Sequence, residues 1–211
     1  MTERSFFAAR GRVVAALVGA GLLLSACQGG SPTPGDSPSA SSSSASPSAT
    51  ATPTPSAKYV PASAKGKAQN VPVPVKPALA DQNSKAGLEA FTTYWFALLS
   101  YGYETGDLTA WSKVTSKGCA FCSNLEKGVN NANKDGRWAV GGKFTLPSVK
   151  AEYKGANPSQ QVVIQVIQSK IEYFKADGTT LREPTPASNS GSLIVARYES
   201  GSWSVVDLGL L

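Results

Sequence analysis

A single change of apolar rhythm at Gly136 limits this chain more than any other feature. Before Gly136, large apolar residues recur every three or four positions. After it they alternate, or run together in β-branched stretches. The first spacing lines one face of a helix and the second lines one face of a strand. Helices come first and an antiparallel sheet follows, which is an α+β plan.

The helical half is expected to hold one long helix and two shorter ones. Asp81 or Ser84 can cap a helix running to about Tyr103. Leu88, Phe91, Trp95, Leu98 and Leu99 form its apolar face, widened by Tyr94, Phe96, Tyr101 and Tyr103. Gly106 ends it. Asp107 caps a helix over 107–114 that carries Leu108, Trp111 and Val114. A third helix, about 119–134, carries Phe121, Leu125 and Val129 and stops at Lys134-Asp135-Gly136.

In the sheet half, Trp138 to Val140 reads as a short strand before a Gly141-Gly142 turn. Lys143 to Tyr153 is a strand with a bulge or an edge at Pro147. Gln161 to Lys175 reads as one long strand, followed by a turn at Asp177-Gly178. Residues 179–190, with Pro184 and Pro186, read as an exposed connection. Ser192 to Glu199 and Trp203 to Leu208 pair across Ser200-Gly201. The expectation is one curved, cone-like antiparallel sheet of four to six strands, with the helices packed on it.

Upstream the composition forbids a core. Residues 28–57 are almost wholly Ser, Pro, Thr, Ala and Gly, which cannot bury enough apolar surface to offset their ordering entropy. A disordered tether is expected over 27–69, with a reach of about 35 Å as a coil or roughly 130 Å in polyproline form. Val71-Pro72-Val73-Pro74-Val75-Lys76-Pro77 forces an extended strap whose valines can lie on a neighbouring surface. A single globular domain is expected over 70–211.

Residues 1–26 read as an export signal, with three arginines in the first twelve residues and an apolar run from Val13 to Leu24. That run is too short to span a bilayer, which takes about 20 residues. Leu24-Ser25-Ala26-Cys27 resembles the lipobox of bacterial lipoproteins. The resemblance implies cleavage before Cys27, a diacylglycerol on its thiol, acylation of the new amine, and an extracytoplasmic protein anchored to the cell membrane. Two or more acyl chains make a stable anchor, whereas one is marginal. Serine and threonine beside proline in the tether could carry O-linked sugar.

Losing Arg4, Arg10, Arg12 and Glu3 with the signal lowers the net charge from +6 to +4. No run of Lys or Arg points to nucleic acid. Histidine is absent, which removes any mechanism needing an imidazole base or ligand. With Cys27 lipidated, Cys119 and Cys122 remain as one pair at the start of the third helix. Residues so spaced in a helical turn lie within disulfide range, and export favours a structural bond. A redox pair is the alternative, although no strand precedes it. A zinc site lacks further N or S ligands.

The helix-then-meander layout over about 81–211, ending in Tyr198-Glu199-Ser200-Gly201-Ser202-Trp203-Ser204-Val205-Val206-Asp207, resembles nuclear-transport-factor-2-like or cystatin-like domains. Leu88 to Trp95, Tyr103 to Leu108 and Cys119 to Cys122 are similar to an actinobacterial lipoprotein family whose domain has no assigned function. The lipoprotein-family resemblance implies location and fold and supplies no activity. The long tether and the lack of histidine fit a non-catalytic module for a small apolar ligand, an envelope protein or envelope assembly, with no cofactor. The alternative is an isomerase- or dehydratase-type pocket enzyme drawing on Tyr94, Tyr101, Asp107, Glu152 or Asp207, none of which matches a family catalytic position. Such an enzyme needs a carboxylate facing a tyrosine over an apolar cavity.

Overall fold

The computed structural model describes residues 57–155 and 157–211. The signal segment, Cys27 and the tether up to residue 56 lie outside the described residues. The long helix, α1, spans Lys85–Thr105. Ser84 caps it by accepting from the Gly87 N–H at 3.0 Å, and Gly106 ends it in the left-handed region at φ +81°. Leu88, Phe91, Trp95, Leu98 and Leu99 are all buried, as their spacing requires. The shorter helices are α2, Thr109–Lys113, and α3, Ala120–Asn133. Among the described residues no helix is long and apolar enough to cross a membrane.

Seven strands follow: β1 Trp138–Gly141, β2 Phe144–Glu152, β3 Ser159–Gln168, β4 Ile171–Phe174, β5 Thr180–Thr185, β6 Ser188–Glu199 and β7 Ser202–Leu210. They form two antiparallel sheets, a larger one ordered β2-β3-β6-β7 and a smaller one ordered β1-β4-β5. The α+β plan holds, but the single curved sheet is replaced by two. A crease interrupts the chain at Gly141–Lys143, at Ser169-Lys170 and at Pro186-Ala187. At Gly141, φ is +88° and a Cβ would lie 2.0 Å from the Lys170 carbonyl oxygen, so only glycine fits. The expected long strand from Gln161 to Lys175 is therefore β3 and β4. The expected loop over 179–190 contains β5 and the start of β6. Pro184 sits in β5, an edge strand of the small sheet, where a missing N–H is tolerated. The bulge expected near Pro147 is present, between Thr145 and Ser148.

The domain begins earlier than residue 70. Val60 pairs with Gln69 and Ser63 with Gly66, closing a small antiparallel hairpin. Trp138 Nε1 donates to the Ser63 carbonyl at 2.9 Å, and the Tyr59 hydroxyl donates to Glu104 on α1. Small polar residues lack a core of their own, but here their backbone groups pair with each other and aromatic anchors hold them to the domain. In the strap, Val71 and Pro74 turn inward while Val73 and Val75 are 60% and 87% exposed. A three-residue period suits polyproline geometry better than the alternation expected of the valines.

The core is built on Trp95, Trp111 and Trp203, all at most 2% exposed. Three aromatic tips from the large-sheet side hold the segment that leads into α1. Trp203 Nε1 donates to the Gln82 carbonyl, the Tyr198 hydroxyl to that of Asp81, and the Tyr153 hydroxyl to that of Asn83. Their partners start α1 across the face of the large sheet.

Candidate functional site: a chamber between helices and sheet

Along β6 the inward positions change character. Ile194 and Ala196 are fully buried and fill the deep end of the sheet face. Ser192, Ser190 and Ser188 continue the same face toward the start of the strand, paired across the ladder with Ile164, Val166 and Gln168 of β3. Serine is much smaller than isoleucine, so the helices above do not meet the sheet there. A cavity of about 130 Å³ remains. α1 supplies Phe96 and Leu99, three apart. α3 supplies Phe121 and Leu125, four apart. Phe144 of β2, and Leu208 and Leu210 of β7, complete the wall. Ser188 and Leu210 are exposed, and the chamber opens at that end.

Among the described residues no ionisable side chain lines this chamber; its polar side-chain atoms belong to three serines and Gln168. Such a surface can surround an apolar group and hydrogen-bond a polar one at its rim. An apolar cavity of similar size, about 150 Å³, holds benzene, so the volume suits one ring or a short branched group.

The carboxylates and tyrosines proposed for an enzyme are dispersed. Tyr94 is half-buried against the core. Tyr101 faces a groove under the strap, with Tyr59 and Glu104. Asp107 is exposed and accepts from the Thr109 N–H at 2.8 Å; hydrogen bonds to Thr109 hold its carboxyl below the usual range. Glu152 is exposed. Asp207 is exposed and accepts from the Leu208 N–H at 2.9 Å, beside the register shift between β6 and β7. None of the five lines the chamber. Burial pushes the Tyr103 hydroxyl up to about 12, but Tyr103 is not part of the wall.

Cys119 and Cys122 are bonded, with α-carbons 5.2 Å apart. Both are at most 1% exposed. Cys119 Sγ also accepts from the Cys122 N–H at 3.1 Å, so the pair caps α3. A bond so enclosed is out of reach of a thiolate attacking from solvent, which favours a structural role. Cys27 lies outside the described residues. Among the described residues no three His, Cys, Asp or Glu side chains converge as a metal site would require.

Fold and chamber together define an α+β domain with a small, uncharged interior space. The chain belongs to a family of unknown function (DUF6318), whose pattern spans residues 57–209. That pattern takes in the N-terminal hairpin. No curated protein matches the chain. Many solved structures are distantly similar, three of which illustrate the likeness. The intermembrane-space region of the chloroplast protein ARC6 has 8% identity and a TM-score of 0.44, over 61% of this chain and 96% of that one. Aln2 from a Streptomyces species has 13% identity and a TM-score of 0.39, over 59% and 89%. An uncharacterized protein with a cystatin-like fold from Caulobacter vibrioides has 14% identity and a TM-score of 0.36, over 57% and 84%. Likenesses this distant say nothing about what the chain does.

Proposed function

We propose that this protein is a lipid-anchored extracytoplasmic binding module. Cys27 carries the lipid, residues 28–56 form the spacer, and the domain from residue 57 holds a small apolar group between α1, α3 and the large sheet without transforming it. One observation carries the binding reading: among the described residues the chamber is lined by apolar, hydroxyl and amide groups and by no ionisable side chain. Proton transfer needs a positioned acid or base within hydrogen-bond reach of the substrate, and this wall supplies none. The lipobox-like Leu24-Ser25-Ala26-Cys27 supports the anchor.

Two measurements test the two halves separately. Metabolic labelling with a fatty acid should mark the wild-type chain and fail to mark Cys27→Ser; labelling that persists in the variant removes the anchor. Fluorobenzene, followed by ¹⁹F NMR against the full chain, should bind saturably. Filling the chamber with Ser190→Phe should abolish that binding. Uptake unchanged by Ser190→Phe would place the apolar site elsewhere.

A further inference from the structure

A second concavity is charged. Gly128, Asn131 and Ala132 of α3, Arg137 just before β1, and Leu181 and Arg182 of β5 line a groove of about 390 Å³. Its chemistry differs from that of the chamber, and it does not depend on the anchor or chamber readings.

The Arg182 guanidinium lies 3.8 Å from the centroid of the Tyr173 ring. Tyr173 is 3% exposed and its hydroxyl is tied to Thr185 Oγ1 at 2.8 Å, so the platform under the cation is fixed. A guanidinium resting on a ring keeps its in-plane N–H donors available for an oxyanion. Among the described residues no carboxylate lies within 4 Å of Arg182. Among the described residues the one carboxylate within 4 Å of Arg137 is Asp135, 3.9 Å away and itself largely exposed, too far for a hydrogen bond. Two cations sharing one groove repel, and a bound anion relieves that repulsion.

Gly128 adds an independent sign. Glycine inside a helix is unfavourable relative to alanine. A Cβ at Gly128 would meet only the Tyr103 hydroxyl, at an ordinary 3.6 Å, so packing does not demand glycine there. The missing side chain leaves that stretch of the groove open.

We propose that this groove binds an oxyanion, the phosphate or carboxylate group of an anionic ligand, between the guanidinium groups of Arg137 and Arg182 and beside the Asn131 amide. Arginine side-chain Nε–H resonances of the ¹⁵N-labelled full chain, titrated with sodium phosphate and separately with sodium acetate at constant ionic strength, test it. The Arg137 and Arg182 signals should shift to saturation with at least one of the two anions. Phosphate alone would identify a phosphorylated ligand, and acetate alone a carboxylate. Arg182→Met should weaken binding at least tenfold. Gly128→Leu, which fills the groove without touching its charge, should do the same, whereas Arg197→Met should not. If Arg182→Met fails to fold, Arg137→Met makes the same test on the groove's other arginine. Equal, unsaturable shifts with phosphate, acetate and chloride would overturn the site, as would saturation that survives both Arg182→Met and Gly128→Leu.

Discussion

Replacing Ser192 with valine tests whether the chamber is unfilled space or a satisfied part of the fold. Ser192 is 4% exposed and sits between Ile164 of β3 and Leu210 of β7 in the sheet ladder. Its hydroxyl faces the chamber. Valine replaces that hydroxyl with two methyl groups on the same stem. Each buried methylene-sized group contributes about 0.8 kcal/mol, and valine suits a strand better than serine by a few tenths of a kcal/mol. Area-based gains are upper bounds. The expected result is a stabilisation of about 1 kcal/mol, or roughly 2–4 °C in Tm for a domain of this size. Urea unfolding followed by far-UV circular dichroism should show a higher midpoint with an unchanged slope. Fluorobenzene binding should fall in the same variant, because the added methyls occupy its space. A loss of 1 kcal/mol or more would refute the reasoning. It would mean that the hydroxyl is bonded within the fold, or that the wall is already closed.

Three further outcomes are expected. Trp95→Ala removes a fully buried indole that packs on Phe96 and Trp111 and donates to Thr115 Oγ1 at 2.8 Å. It should cost about 3–5 kcal/mol, and a near-neutral midpoint in the same unfolding assay would show that α1 is not the centre of the core. Cys119→Ser with Cys122→Ser opens a loop so short that chain entropy accounts for only about 2 kcal/mol, so the double variant should fold and melt at a lower temperature; loss of folding would give the bond a larger part. Tyr59 and Tyr103 are both raised to about 12, Tyr59 mainly by its hydrogen bond to Glu104 and Tyr103 by burial. The folded state therefore favours their protonated forms. That stabilisation is complete below pH 10 and is lost as pH rises from about 10 through about 12. Absorbance titration at 295 nm should show late-ionising tyrosines, one fewer in Tyr59→Phe; an unchanged curve would detach residues 57–69 from the domain.

The parts of the fold legible in the sequence were those governed by local rules. The α1 face could be read because Leu88, Phe91, Trp95, Leu98 and Leu99 share one side of any helix, and Ser84 and Gly106 mark its ends. The crease between the sheets was not legible. Gly141-Gly142, Ser169-Lys170 and Pro186-Ala187 are far apart in the chain and act together only once the strands pair. The same holds for residues 58–69, whose composition reads as spacer until Trp138 and Glu104 are brought beside them.

The chamber divides in the same way. Phe96, Leu99, Phe121 and Leu125 could be read as apolar helix faces, but two of the serines opposite them, Ser188 and Ser190, lay in a stretch that two prolines marked as a loop. The alternation of Ser188, Ser190 and Ser192 was the available signal. Arg137 and Arg182 carried none, being 45 positions apart on unrelated elements.

What the sequence alone determined is the three helices and the change to strands after them, because periodicity is a property of neighbours along the chain. What only the tertiary structure decided is where space and charge are left over. Whether a serine faces a helix or water, and whether two arginines share a groove, depends on strand pairing and helix docking. The residues that meet there are set by distance through space rather than by distance along the chain.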